Sequence, residues 1–424
     1  MQFPKLLRLR QRFPPSQPVD IAAALPAQFA ESGLLQRLRP GSRIAVAVGS
    51  RGITNLAQIV RTVVEVLQGA GAAPFIIPAM GSHGGATPEG QASILAEYGV
   101  TEQAMGVPIE ASLEVRQVGT TDDRVPVYVS TAALAADGII IVNRIKPHTD
   151  FLGLLGSGVI KMMVIGLGKR QGAANFHISA ARLGYEHVLR AVSRVIVQKA
   201  PILGGVGILE NQYHQTHRLA VMPAREIEFR ENELFLESRA LLPKLPFSDI
   251  DLLIVDRIGK NISGAGMDPN VIGRSVHGYS SFLGQKWPEG PIIRRIFVRE
   301  MTPETHGNAN GVGLADATTA RLVRGIDPQS TYINALTALA PQGSKIPIYF
   351  ETDREVLTHL LPSTGVADPL QTRIVHIADT LNVERMAASE AYLSEIENHP
   401  GVERLSDPEE MSFDAEGNLS ALSA

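Results

Sequence analysis

The sequence predicts an α/β protein made of two α/β domains with an active-site cleft between them. Three observations carry this expectation. The chain has 424 residues, more than one hydrophobic core usually serves. Short, nearly continuous β-branched runs alternate with helical patterns along its length, as in sheets whose strands are covered on both faces. A polar, proline-broken stretch, LLPKLPFSD (241–249), changes the texture just before the clean strand DLLIVD and sets the expected boundary, with domains at 1–246 and 247–424.

Taken in order, strands are expected at RIAVAV (43–48), APFIIP (73–78), DGIIIVN (137–143), GGVGILE (204–210), DLLIVD (251–256), RRIFVRE (294–300), KIPIYF (345–350) and RIVHIAD (373–379). From Thr54 to Gln68, Leu56, Ile59, Val60, Val63 and Leu67 share one helical stripe, and Gly69 and Gly71 are stop signals. A longer helix is expected after His177, with Tyr185, Val188, Leu189, Val192 and Ile196 on its apolar face. The acidic tail after Pro400 lacks periodicity and reads as loosely ordered.

Composition narrows the function. Lys and Arg number 39 against 43 Asp and Glu, a balance without the basic footprint that nucleic acid or anionic lipid requires. There are no cysteines, so disulfides, iron–sulfur clusters and thiolate metal sites are excluded. Any metal must be held by His, carboxylate or a cofactor's own donors. MQFPKLLRLRQRFPP and the rest of the chain hold no apolar run of the roughly eighteen residues that a membrane helix needs. The expectation is a cytoplasmic protein acting on small molecules, with no nucleic acid and no membrane as partner.

The chemistry concentrates around GLLGSGVIK (153–161). Lys161 stands between Val159-Ile160 and Met162-Met163-Val164-Ile165, an apolar setting costly for an ammonium. Either its amine is consumed in a covalent link, or its stem snorkels to water. His83, in MGSHGGATPEG, lies on a strand-to-helix loop, with Thr87 as N-cap, Pro88 at the first helical position and Glu89 in the first turn. His148 repeats the arrangement after DGIIIVN, in RIKPHTD. Such loops are where α/β sheets place ligands, and two imidazoles there could serve as acid and base. A solvent-exposed turn histidine is the alternative for each. Arg51, in AVAVGSRGITN, could hold a carboxylate or phosphate in two parallel hydrogen bonds or be a surface arginine.

Phosphate motifs fail on inspection. GLGKRQ (166–171) ends in Gly-Lys, but Met163 replaces the first glycine of a P-loop and Arg170 its Ser or Thr. In GSGVIK (156–161), Lys161 replaces the third glycine of a dinucleotide fingerprint. His177, in NFH, has no histidine at i+4, and His214 and His217 read as a polar turn. In the second half, DRIGKNISGAGMDPNVIGR (256–274) offers Lys260 and Asn261 toward a substrate, with Lys260 the natural carboxylate partner. ETHGNANGVGLAD (304–316) offers His306, Asn308 and Asn310.

SRGITN, GSHGGATPE, the PH followed by a glycine-rich stretch ending in Lys161, and NFH at His177 together resemble the nickel-dependent lactate racemases and the wider group of nickel-pincer-nucleotide isomerases. The likeness spans most of 40–180; beyond 245 it is limited to the general plan and the GKN loop. It implies a cofactor-binding lactate racemase-like N-terminal domain and a C-terminal domain that closes on substrate. It further implies a nicotinate-derived mononucleotide joined by a thioamide to Lys161, with nickel held by the cofactor's sulfurs and carbon and by His177. His83 and His148 are then the acid–base pair, Arg51 lies at cofactor and substrate, and Lys260 and Asn261 contact substrate. An uncharged thioamide nitrogen would also explain Lys161's apolar neighbours.

The chain departs from the lactate enzymes in a few extra residues between His148 and Lys161, in Gly158-Val159-Ile160 where those have Gly-Gly-Arg, and in ISGAGMDPN where their tyrosine–glutamine motif stands. The reading is therefore a racemase or epimerase of a 2-hydroxy acid, in a pocket reshaped from that of the lactate enzymes. It would meet cofactor-making enzymes transiently and lack the cofactor in a host without them. Its rivals are a 2-hydroxy-acid dehydrogenase and a non-catalytic carrier of the nickel nucleotide.

Overall fold

Strand β1 (Leu6–Gln11) does not join the sheet that follows it in the chain. Leu7 and Leu9 are buried while Arg8 and Arg10 are exposed, the alternation of a strand covered on one face. The computed structural model describes residues 2–15, 17–49, 52–149, 151–276 and 290–422. It divides into two compact units: Ser16–His148 with Leu152–Leu242, and Met1–Pro15 with Thr149–Phe151 and Pro243–Ala424. The segment before Pro15 thus groups with the C-terminal half, in contrast to the expected 1–246 domain, because β1 finds its hydrogen-bond partners there.

The first unit is built on a sheet of β2 (Arg43–Val48) and β3 (Ala73–Pro78), followed along the chain by a separate ribbon of β4 (Val115–Thr120) and β5 (Pro126–Ser130). The sheet is completed by β6 (Gly138–Arg144), β7 (Ile202–Glu210) and β8 (Thr216–Pro223), in the order β3-β2-β6-β7-β8. The first four strands run parallel and β8 returns antiparallel. Every residue of Ile44–Val48 is buried, as a parallel strand covered on both faces requires. The helix Leu56–Gly69 buries the expected stripe of Leu56, Ile59, Val60, Val63 and Leu67 against Val46, Val48 and Ile140. Each such side chain contributes roughly 1.5–3 kcal/mol.

The second unit holds an eight-stranded sheet of β9 (Asp249–Ile258), β10 (Ile292–Met301), β11 (Ala317–Thr319), β12 (Ile348–Phe350), β13 (Ile374–Ile377), β14 (Arg385–Ser389) and β15 (Val402–Arg404) together with β1. Its order is β12-β11-β10-β9-β13-β14-β1-β15, parallel as far as β13 and antiparallel beyond. Both units are therefore α/β, as expected.

The tail after Pro400 corrects the expectation of loose order. Asp353 Oδ2 accepts from Leu419 N at 2.9 Å and Asp256 Oδ2 from Leu422 N at 2.8 Å. Arg299 pairs with both aspartates and donates to the Leu419 carbonyl, and all three charged side chains are buried. Burial disfavours the Asp256 carboxylate, yet His376 and Arg299 outweigh it and hold its pKa below the usual range. Periodicity was no guide because polar backbone contacts, with buried Leu419, fasten this segment. Among the described residues no helix is long and apolar enough to cross a membrane.

Candidate active site around Lys161 and His148

Beyond β6 the chain doubles back on itself. Lys146 N donates to Ser157 O at 2.9 Å and Ser157 N to Lys146 O at 2.8 Å. Only a glycine allows this closeness at 156: a Cβ there would stand 2.3 Å from the Lys146 carbonyl and 3.0 Å from His148 N. Asn143, buried at the end of β6, donates from Nδ2 to Gly158 O at 2.9 Å. The loop so closed brings Lys161 Nζ into hydrogen-bond contact with His148 Nε2.

Lys161 ends the short helical turn Val159–Lys161, whose amides are met by Glu231. Glu231 Oε2 accepts from Ile160 N at 3.0 Å, placing a carboxylate where helical N–H groups point. Burial pushes the Glu231 pKa up to about 7, against the pull of the Ile160 and Val159 amides and of Arg190. Among the described residues its buried Oε1 has no hydrogen-bond partner, and a Cβ on Gly158 would stand 2.0 Å from that oxygen. The chain then widens into a π turn at Met162–Gly166, a feature common at functional sites.

Glu231 was not singled out from the sequence. The signal lay in its spacing: Ile227, Glu231, Leu234, Phe235 and Ser238 form one buried stripe of the helix Ile227–Ala240.

His83 is exposed at the start of the 3-10 turn Gly84–Ala86, on the loop after β3. Thr87 caps the next helix by accepting from Gly90 N at 3.0 Å, with Pro88 and Glu89 placed as expected. His177 lies inside the helix Lys169–Leu183 and not before it; a second helix, Tyr185–Lys199, follows Gly184. The His177 ring is half-buried, with centroids 5.4 Å from Phe176 and 6.5 Å from Tyr185.

Arg51 lies outside the described residues. Lys260 and Asn261 belong to the other unit, on the loop after β9. There Lys260 Nζ donates to Gly264 O at 2.6 Å and Asn261 Oδ1 accepts from Thr302 Oγ1 at 2.7 Å. His306 takes a left-handed backbone, φ 48°, at the end of a 3-10 turn after β10. Among the described residues no three His, Cys, Asp or Glu side chains form a group able to hold a metal. A metal on His177 would need most of its donors from elsewhere.

Comparison with known proteins bears on this arrangement. Residues 8–184 match the family model of the lactate racemase N-terminal domain. The resemblance read from the motifs is thereby borne out over that span. The lactate racemase N-terminal domain match takes in His83, His148, Lys161 and His177 and ends before Glu231 and Lys260. No curated protein matches the chain. Among solved structures, the lactate racemase apoprotein from Thermoanaerobacterium thermosaccharolyticum is similar at 14% identity, over 82% of this chain and 88% of that one, with a TM-score of 0.46.

Proposed function

We propose that this protein racemises or epimerises a 2-hydroxy acid, with Lys161 as the covalent anchor of a nickel-pincer nucleotide and His177 as the protein's ligand to its nickel. The contact between Lys161 Nζ and His148 Nε2, inside the span that matches the lactate racemase domain, carries the reading. A reactive amine and an acid–base group thus share one point of a glycine-built loop.

The residues fit such a group. Lys161 is half-buried and contacts an imidazole, and a single histidine suffices where the cofactor supplies sulfur and carbon donors. The bound group would supply a hydride acceptor. His148, through Nε2, takes the hydroxyl proton from one enantiomer, and His83 serves the other. Removing that proton as hydride leaves the carbon avoids the dianion that direct deprotonation beside a carboxylate would create. With that group bound, His148 and His83 would return the proton to either configuration of the substrate. Arg51, Lys260 and Asn261 are proposed as carboxylate and cofactor contacts, and a small-molecule substrate and cofactor-making enzymes as partners.

The test is production beside cofactor-making enzymes, followed by intact-mass measurement and incubation with single enantiomers of several 2-hydroxy acids. A mass gain that Lys161→Ala abolishes, with the opposite enantiomer appearing, is expected. Oxo acid accumulating without the opposite enantiomer would assign a dehydrogenase instead; loading without turnover of any substrate would assign a carrier.

A further inference from the structure

Lys169 is a charged side chain for which the proposed reaction has no use, yet it is only 1% exposed and among the largest fully buried side chains. Its backbone sits at φ 53°, a left-handed conformation costly for a residue with a Cβ. Its Nζ donates to the carbonyl of Pro78, at the end of β3, and to Gln91 Oε1 at 3.4 Å. Both acceptors are neutral, and burial lowers the amine's pKa to about 8. Gln91 is fully buried on the helix Pro88–Glu97 and uses its other end on the catalytic loop: Nε2 donates to Gly81 O at 3.0 Å and to His83 O at 3.3 Å.

We propose that Lys169 and Gln91 form a buried tether that positions His83, tying the loop carrying it to the helix that carries His177. The inference rests on the acid–base role proposed above for His83. It makes Lys169 and Gln91 positioning residues, since neither touches substrate. The loop needs such a hold because its glycines at 81, 84 and 85 all have positive φ and lend it no stiffness. Gln91 is suited to the part because one amide both accepts and donates.

The variants are Lys169→Met, Gln91→Leu and Gln91→Glu, the last keeping an acceptor for Lys169 while losing the donor to Gly81 and His83. In the loaded enzyme each should lower kcat roughly tenfold to a hundredfold with KM nearly unchanged, as small misplacement of a catalytic group does. Cofactor mass on Lys161 should stay at the wild-type level. Lys169→Met with Gln91→Leu should be no worse than either alone, because they cut the same link. In the protein without cofactor, amide hydrogen exchange across residues 81–87 should quicken in all three. Unchanged exchange together with unchanged kcat would overturn the tether, as would kcat losses that simply add. If wild-type protein neither loads nor racemises while the loop still loosens in the variants, the tether stands and the reaction assigned to the site falls.

Discussion

Lys161 Nζ reaches His148 Nε2 across a loop of thirteen positions. One of the two nitrogens donates and the other accepts, according to the tautomer of the ring. Linking the amine to an acyl group would leave it one N–H and return Nε2 to the site. Lys161→Ala is therefore expected to abolish both the covalent mass gain and turnover. His148→Ala and His83→Ala should load normally and lose at least about a hundredfold in turnover. Intact mass and chiral analysis of the product decide between these outcomes. His177→Ala should keep the adduct and lose nickel, read by metal analysis.

Gly156→Ala should act through the loop that presents Lys161. With the Lys146 carbonyl 2.3 Å from the new methyl, the paired Lys146 and Ser157 backbones must part. The expected cost is about 1–3 kcal/mol in denaturant unfolding. Loading should fall with it, because the turn that presents Lys161 shifts; unaltered stability and loading would show that the loop yields freely.

Glu231 gives a pH signature. Its pKa is raised in the folded protein to about 7 from 4.5, so between these values the folded state binds more protons than the unfolded state. Its contribution is fully present below pH 4.5 and is lost as pH rises through 7. Relative to Glu231→Gln, the wild type should lose about 3 kcal/mol of stability across that window. Urea titrations at pH 5, 6, 7 and 8 measure the difference; a flat one means the carboxyl does not titrate there.

Lys169 has the opposite sign. Its folded pKa of about 8 lies below the ordinary 10.5, so the unfolded state binds more protons between the two. Stability relative to Lys169→Met should therefore rise with pH from 8 to 10.5, by about 3 kcal/mol. Denaturation at pH 7.5 and 10 would display it.

Arg299 faces Asp256 and Asp353 with all three buried. Arg299→Leu leaves two carboxylates without their shared cation and should destabilise the second unit by about 3–5 kcal/mol. Thermal unfolding followed by exchange at Leu419 and Leu422 amides would register it, since both bond to these aspartates.

How much of this was legible depended on the kind of interaction. RIAVAV and APFIIP form strands with the expected bounds because continuous β-branched runs have few alternatives in a covered sheet. The cap at Thr87 was equally local. His83, His148, Lys161 and His177 were singled out through short motifs in glycine-rich surroundings. Glu231 and Lys169 were missed because their partners are backbone groups and an amide far along the chain, and charges in IEFRENELFLES and GKRQ look solvated by composition. The fastening of the tail at Asp256 and Asp353 was hidden for the same reason.

The pairing of β1 with β14 sets an order for biosynthesis. Leu6 lies opposite Ser389, so the ribosome makes the early strand hundreds of codons before its partner exists. At roughly 5–20 residues per second, the nascent LLRLRQ waits some tens of seconds with Leu7 and Leu9 uncovered. The alternating arginines give that stretch charge while it waits, a guard against premature sticking. The sheet of residues 43–223 has all its strands by then, so the earlier half can fold while the later sheet still lacks the partner that closes it.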